Sequence, residues 1–235
     1  MRPIHAAALT AGLVFFLAGP MKTQAQGETS HAIEGGGVFA PGWTGQVDPN
    51  EAAKGMTAKD AKLTKEGDSF HIATGPAITY WNPANKASGN YTVSATFTEP
   101  QYMNRNDHPH PYGIAIAGND IGTPQQSELY CAAYGSGTFI VRGFGPQPFQ
   151  VNGRRGEPND AVHKAVGQGQ PVTQEIALSV KGDKIECAIN GTVVGSYDKA
   201  SLIAPGKLKS SDGIYGIRSS HNTEITVTGF KITKN

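Results

Sequence analysis

Alternation of larger, mostly apolar side chains with small polar ones is the main pattern of the chain from Ser69 to its end. Residues 91–98 show it most clearly, because tyrosine, valine, alanine and phenylalanine occupy every second position. A period of two residues places such positions on one face of a β-strand. By the same criterion we predict short strands over 69–73, 77–81, 91–98, 112–117, 128–134, 138–144, 149–152, 174–180, 184–189, 192–197, 213–218 and 224–232.

Turn-forming residues separate the predicted strands. The glycine-containing segments at 135–137 and 182–183 each join two of them, and Asn190-Gly191 is the strongest hairpin signal because both residues tolerate positive φ. Residues 51–66 have a helix-forming composition, but an internal glycine and weak periodicity limit them to a turn or two of helix. Short strands, tight turns and no long helical pattern predict an all-β protein, an antiparallel β-sandwich.

The N-terminus carries a targeting pattern. Arg2 precedes an uncharged apolar run over 6–19, Pro20 ends that run, and residues 23–25 match a small-residue cleavage site. A membrane span needs roughly 20 apolar residues, more than this run provides. We therefore predict a cleaved signal peptide over 1–25, with an uncleaved anchor as the alternative. The mature protein is expected to be exported, periplasmic or secreted, without a membrane span.

Composition agrees with one folded domain after this leader. The 235 residues include 30 glycines and 15 prolines, below the share of roughly 25–30% that is typical of low-complexity chains. We expect a flexible, glycine-rich lead-in over 26–42 and a single sandwich domain over 43–235. Twenty basic and 19 acidic residues give a formal net charge of +1, which argues against nucleic acid or an anionic membrane as a partner.

Cys131 and Cys187 are the only two cysteines of the chain. An oxidising compartment permits a disulfide between them, and closing a loop of this length adds roughly 4 kcal/mol in the chain-entropy treatment. Both lie within predicted strands, so two small buried thiols are the alternative.

Two late stretches of the chain carry a resemblance to a known superfamily. Residues 180–194 contain the Asn-Gly hairpin, and residues 212–218 read Asp-Gly-Ile-Tyr-Gly-Ile-Arg. Together they resemble the late strands of concanavalin A-like lectin/glucanase sandwiches and, more narrowly, the bacterial exported DUF1080 (3-keto-disaccharide hydrolase-like) domain. Residues 75–81 and 89–93 fit the early strands. The resemblance implies a jelly roll of two curved antiparallel sheets, with a saccharide bound on the concave face or its rim.

Glu128 is the candidate catalytic residue. Glycoside hydrolysis normally needs two carboxylates, and the glucanase branch of the superfamily carries an E-x-D-x-E strand, whereas this chain offers one carboxylate at the corresponding place. Alternation puts Glu128 on one face with Tyr130 and Tyr134, which suits a platform for a sugar ring. The alternative is a solvated acid at a strand end beside ordinary tyrosines.

Four further residues are candidates for substrate binding. Arg142 and Arg218 lie in otherwise apolar strands, where an arginine needs water or a partner, so they bind sugar hydroxyls or a carboxylate, or else form ion pairs. Trp81 ends a strand, where it stacks on a sugar ring or packs in the core. His221 is a candidate acid or base near Arg218, or a plain loop histidine. The glycine- and proline-rich segment 142–155 is expected to cross the sheet as a loop.

A metal or other cofactor is not the leading expectation. His108 and His110 are weak metal candidates, because the intervening prolines favour an extended helix of about three residues per turn in which the two rings need not face one ion. Asp120 is the third ligand within reach, and the Asn119-Asp120 turn is a weak calcium candidate.

These residues favour an exported, saccharide-binding sandwich protein. The first alternative is a hydrolase acting on a modified (3-keto) disaccharide, which only the resemblance implies. The second is a structural envelope protein without a small ligand. Convergence of Glu128, Tyr130, Arg142 and Arg218 in one concave pocket would favour a ligand site, and their dispersal would favour the structural protein. Convergence of His108, His110 or His221 with them would favour an enzyme.

Overall fold

Two curled sheets packed face to face make up the computed structural model, which describes residues 29–234. This arrangement confirms the predicted all-β sandwich. The predicted signal peptide over 1–25 lies outside the described residues. The strands, in chain order, are β1 (Gly37–Val38), β2 (Thr44–Val47), β3 (Lys62–Glu66), β4 (Ser69–Ala73), β5 (Ile78–Ala87), β6 (Tyr91–Glu99), β7 (Tyr112–Asn119), β8 (Ser127–Tyr134), β9 (Thr138–Phe144), β10 (Pro148–Gln150), β11 (Glu157–Pro158), β12 (Val172–Lys181), β13 (Lys184–Ile189), β14 (Thr192–Asp198), β15 (Gly213–Ser219) and β16 (Glu224–Lys234).

Neighbouring strands pair in the order β1-β3-β4-β16-β6-β12-β13-β14 in the first sheet. The second sheet has the order β10-β9-β8-β7-β15-β5-β2, and β11 pairs with β9 beside it. All pairs are antiparallel except β1 with β3. Two single-turn helices, α1 (Pro49–Ala52) and α2 (Lys199–Leu202), and a 3₁₀ turn over Ala58–Asp60 complete the described elements. None of the helices within 29–234 is long and apolar enough to cross a bilayer.

The core lies between the two sheets and follows from the alternation. In β6, Tyr91, Val93, Ala95 and Phe97 are buried, while the residues between them are partly exposed. Burying one face of each strand removes apolar surface from water, which stabilises the folded state by about 25 cal/mol for each Å² of that surface. The Tyr91 hydroxyl donates to the carbonyl of Ser211 at 2.6 Å, so its polar end is satisfied inside the protein.

A disulfide joins the sheets through this core. Cys131 of β8 and Cys187 of β13 are bonded, with their Cα atoms 6.1 Å apart and both side chains fully buried. The structure therefore has the disulfide rather than the pair of buried thiols.

Two local expectations differ from the structure. Residues 62–66 form β3, although no strand was predicted there, because only Leu63 of the five is apolar and buried. Part of the expected lead-in also belongs to a sheet, since β1 pairs with β3 and the amide of Gly37 donates to the carbonyl of Ala61 at 2.7 Å. Backbone hydrogen bonds of this kind leave no trace in a side-chain pattern.

We predict that denatured, unreduced protein contains no free thiol. The measurement is an Ellman titration in denaturant, repeated after reduction as the control, when two thiols per chain are expected. Removing the bridge with Cys131→Ala and Cys187→Ala should lower the free energy of unfolding by about 4 kcal/mol, because the unfolded chain regains the entropy of the open loop. Two thiols before reduction would contradict the bridge.

Glu99, at the end of β6, is a buried carboxyl group that makes stability depend on pH. Burial raises its pKa to about 7, although the Met103 amide, which donates to Oε1 at 3.1 Å, acts in the opposite direction. The Glu99 carboxyl group binds its proton more tightly in the folded state than in the unfolded state. The contribution of Glu99 to the free energy of unfolding therefore falls as the pH rises from about 4.5 to about 7.

We predict that Glu99→Gln raises the melting temperature relative to the unsubstituted protein at pH 8, with a difference that shrinks towards pH 5. Thermal melts across this range measure it. Glu224→Gln, on an exposed position of β16, is the control, and its melting temperature should differ from that of the unsubstituted protein by the same amount at every pH. A Glu99→Gln effect that is the same at both pH values would refute the assignment.

Candidate functional site

A groove of about 710 Å³ lies on the outer face of the second sheet. This face is defined by alternation: Leu129 and Cys131 of β8 point into the core, so Tyr130 and Ala132 point outward. Small residues on the central strands leave room for the groove, since Gly113 of β7 lies opposite Ala132, and Ala115 lies opposite both Gly216 and Tyr130.

Strands β8 and β9 supply the aromatic and basic wall. Tyr130, Tyr134 and Arg142 all line the groove, as the alternation predicted for the tyrosines, and Arg142 lies directly opposite Tyr130 in the ladder. One terminal nitrogen of Arg142 donates to the carbonyl of Arg154, which ties the loop after β10 to the sheet. The Nε atom of Arg142 is buried and makes no hydrogen bond to another residue within 29–234.

Arg218 of β15 forms the base of the groove. Its Nη1 and Nη2 atoms donate to the two carboxylate oxygens of Asp48 at 2.5 and 2.6 Å, a bidentate ion pair. The guanidinium carbon lies 4.9 Å from the centre of the Tyr130 ring and 5.5 Å from that of Phe144. Burial alone would lower the pKa of Arg218, but Asp48 outweighs burial and holds the pKa above its usual value.

Glu128 is buried and does not line the groove. Its carboxylate accepts a hydrogen bond from the Thr79 hydroxyl at 2.8 Å, and only 7% of the residue is exposed. Burial raises the pKa of Glu128, and Arg218 and the Thr79 hydroxyl offset part of that effect. The Thr79 hydroxyl in turn accepts from Nη1 of Arg218 at 3.3 Å, so Glu128 is connected through Thr79 to the base of the groove. The structure thus places Glu128 outside the groove lining, and its catalytic role stays a prediction.

The register of two central strands brings three histidines together at one end of the groove. Tyr112, the first residue of β7, pairs with Ser219, the last residue of β15. The pairing continues outward, because the Ser220 amide donates to the carbonyl of Pro111 at 3.0 Å. One step further out, Nδ1 of His110 donates to the carbonyl of His221 at 2.5 Å.

His108, His110 and His221 all line the groove. The Nε2 atoms of His108 and His110 are 3.0 Å apart, so the intervening proline does not keep these two rings from facing each other. The rings of His110 and His221 are 4.0 Å apart between centres. Burial, followed by the neighbouring His221, lowers the pKa of His110 to about 3, which keeps this ring neutral.

Two candidates lie away from the groove. Trp81 is buried in β5, with 9% of its surface exposed, and is not among the groove residues. Asp120 pairs with Lys209 at 2.8 Å and is not grouped with the histidines, so His221 rather than Asp120 is the third member of that cluster.

Sequence reasoning missed three other charged groove residues. Asp48 and Glu51 come from the segment between β2 and the 3₁₀ turn, and Lys54 follows them. Glu51 accepts a hydrogen bond from the Ser30 hydroxyl at 2.8 Å and faces the Lys54 ammonium at 3.8 Å. No periodic pattern marks these positions, because they lie in and around the single-turn helix α1 rather than in a strand.

Comparison with solved structures identifies the fold. The carbohydrate-binding module CBM66 from Bacillus subtilis superposes with a TM-score of 0.53 at 8% identity, covering 84% of this chain and 99% of that one. A Bacillus subtilis protein of unknown function with a galectin-like fold superposes with a TM-score of 0.52 at 11% identity, covering 82% of this chain and 89% of that one. The laminarinase catalytic domain from Thermotoga maritima superposes with a TM-score of 0.51 at 13% identity, covering 83% of this chain and 92% of that one. No family model and no curated protein sequence matches the chain.

The chain therefore has a concanavalin A-like sandwich fold of the galectin-like kind. This confirms the coarser part of the resemblance seen in the sequence. At these identities the similarity defines the fold alone.

We predict that Asp48→Asn destabilises the protein by about 3–5 kcal/mol, because it leaves the Arg218 guanidinium buried without its counter-charge. Urea unfolding measures the change. Asp198→Asn is the matched control: it removes an ion pair with Lys184 at 2.5 Å between two exposed side chains and should leave the midpoint unchanged. Equal effects of the two substitutions would show that the Asp48 pair is not structurally important.

Proposed function

We propose that this protein is exported and binds a saccharide in the groove on the outer face of the second sheet. The observation that carries the proposal is the convergence of Tyr130, Tyr134, Arg142 and Arg218 on one groove. Tyrosine rings stack on the apolar faces of sugars, and arginine nitrogens donate to sugar oxygens. The groove volume lies within the range of about 300–1,000 Å³ that is usual for small-molecule sites.

The charges of the groove favour a saccharide with an anionic group. Arg142, Arg154 and Arg155 line it, and no carboxylate within 29–234 lies at ion-pair distance from any of the three. Arg218, in contrast, is neutralised by Asp48. A carboxylate or sulfate on the sugar would meet bidentate arginine donors in this position.

The similar folds support a carbohydrate-related role. Two of the superposed structures are described as a carbohydrate-binding module and as the catalytic domain of a laminarinase. The finer resemblance to the DUF1080 domain belongs to the same proposal and would place the chain near 3-keto-disaccharide hydrolases.

A hydrolase acting on a modified disaccharide is the second candidate, and the histidine cluster is the observation that favours it. His108, His110 and His221 share the groove with the proposed sugar-binding residues. Imidazoles serve as acids and bases near neutral pH. The two carboxylates that line the groove, Asp48 and Glu51, are both engaged by other side chains, so the arrangement does not suit an ordinary two-carboxylate mechanism.

We predict that a uronic-acid-containing oligosaccharide binds more tightly than its neutral counterpart of the same length. Arg142→Gln should weaken this binding by about 10–100-fold, as expected when a hydrogen bond to a charged group is lost. Isothermal titration calorimetry measures both effects. Lys231→Gln, which removes a positive charge from an exposed position on β16, is the control and should leave the affinity unchanged.

The other outcomes separate the alternatives. Equal affinity of both sugars, unchanged by Arg142→Gln, would contradict the proposed site. Absence of binding across a broad panel would favour the structural envelope protein. Release of product from 3-keto-disaccharides, lost in His221→Gln, would favour the hydrolase.

A further inference from the structure

Three imidazoles from two separate loops meet at one end of the groove. One ring nitrogen from each of His108, His110 and His221 lies within 4.8 Å of the other two. His108 is exposed, His110 is buried and His221 is half-buried, so the cluster runs from the protein interior to the groove surface.

Hydrogen bonds made by the Nδ1 atoms orient the rings of His110 and His108. Nδ1 of His110 donates to the carbonyl of His221 at 2.5 Å, and because a carbonyl only accepts, this nitrogen carries the proton. Nδ1 of His108 contacts the carboxylate of Asp107, which accepts in the same way. In the neutral form of each ring the lone pair is therefore on Nε2.

These two Nε2 atoms face each other at 3.0 Å. Two lone pairs at that distance repel, and a cation between them converts the repulsion into attraction. In a tetrahedral site with metal–nitrogen bonds of about 2.0–2.1 Å, two ligand nitrogens are about 3.3 Å apart. The observed separation is thus close to the edge of such a site, and a ring nitrogen of His221 lies within 4.8 Å of both other ligand atoms.

We propose that His108, His110 and His221 form a binding site for a divalent transition metal of the zinc type, with its fourth position open to the groove. Three protein ligands and one open position characterise zinc sites that act on a substrate, whereas structural zinc sites are closed by four. The Asp107 carboxylate behind His108 and the carbonyl behind His110 are the outer hydrogen-bond acceptors that such ligands usually have.

The open position gives the site a specific task. A sugar oxygen or a water molecule in the groove would complete the coordination, because the three histidines line the same groove as the proposed sugar-binding residues. The metal site does not depend on the saccharide proposal, because its ligands and their orientation are defined within the protein.

The test is metal binding by the full mature protein, prepared without a polyhistidine tag, stripped with a chelator and dialysed. Zn²⁺ is titrated calorimetrically, and Co²⁺ is added in parallel because its visible absorption reports tetrahedral coordination. We expect one ion per chain for both metals, with the Co²⁺ spectrum of a site containing several imidazoles.

Substitutions separate this site from adventitious binding. His108→Ala, at an exposed position, should weaken Zn²⁺ binding by more than about 100-fold and abolish the Co²⁺ spectrum. Asp107→Asn should weaken binding by about 10–100-fold through the orientation of His108. His163→Ala is the matched control, since Nδ1 of His163 also contacts a carbonyl, that of Thr173 at 2.8 Å, but His163 lies outside the cluster.

Two results would overturn the proposal. One is no stoichiometric binding of Zn²⁺ or Co²⁺, which would mean that a shared proton alone holds the His108 and His110 rings together. The other is binding that His108→Ala and His221→Ala leave unchanged while both variants keep their melting temperatures. Neither result bears on saccharide binding, which is measured separately in metal-free protein.

Discussion

The antiparallel register between β7 and β15 is the constraint on which the candidate site depends. Tyr112 opposite Ser219 determines which residues meet beyond the strand ends, and these include His110 and His221. The same register places Arg218 opposite Gly113, where the absence of a side chain leaves space above the sheet. One pairing therefore positions both the basic floor of the groove and the imidazole cluster at its end.

The ion pair between Arg218 and Asp48 links this central pairing to the N-terminal part of the domain. Asp48 directly precedes α1, in a segment that β2 attaches to the edge of the second sheet. A buried guanidinium is tolerated only with its counter-charge in place. The pair thus couples folding of the N-terminal segment to the geometry of Tyr130, whose ring lies against the guanidinium. Arg218 is therefore both a structural residue, through its pair with Asp48, and a residue of the groove lining.

Local patterns in the sequence predicted the strands and turns that are determined by residues adjacent in the chain. The alternation over 91–98 corresponds to β6, and Asn190 and Gly191 both adopt positive φ in the hairpin between β13 and β14. The same alternation predicted that Tyr130 and Tyr134 share one face, and both line the groove. For Arg142 and Arg218 the sequence left a ligand site and an ion pair as alternatives, and Arg218 forms an ion pair with Asp48. The partner of Arg218 is 170 positions away, and His110 meets His221 across 111 positions. Such contacts follow from strand register, which one sequence does not specify.

The proposed ligand site is the outer face of the second sheet. A crystal structure of the protein soaked with a uronic-acid-containing oligosaccharide tests it most directly. We expect density for the sugar in the groove, stacked on Tyr130 or Tyr134, with its carboxylate at hydrogen-bond distance from Arg142. Sugar density elsewhere on the molecule, with solvent alone in the groove, would contradict it.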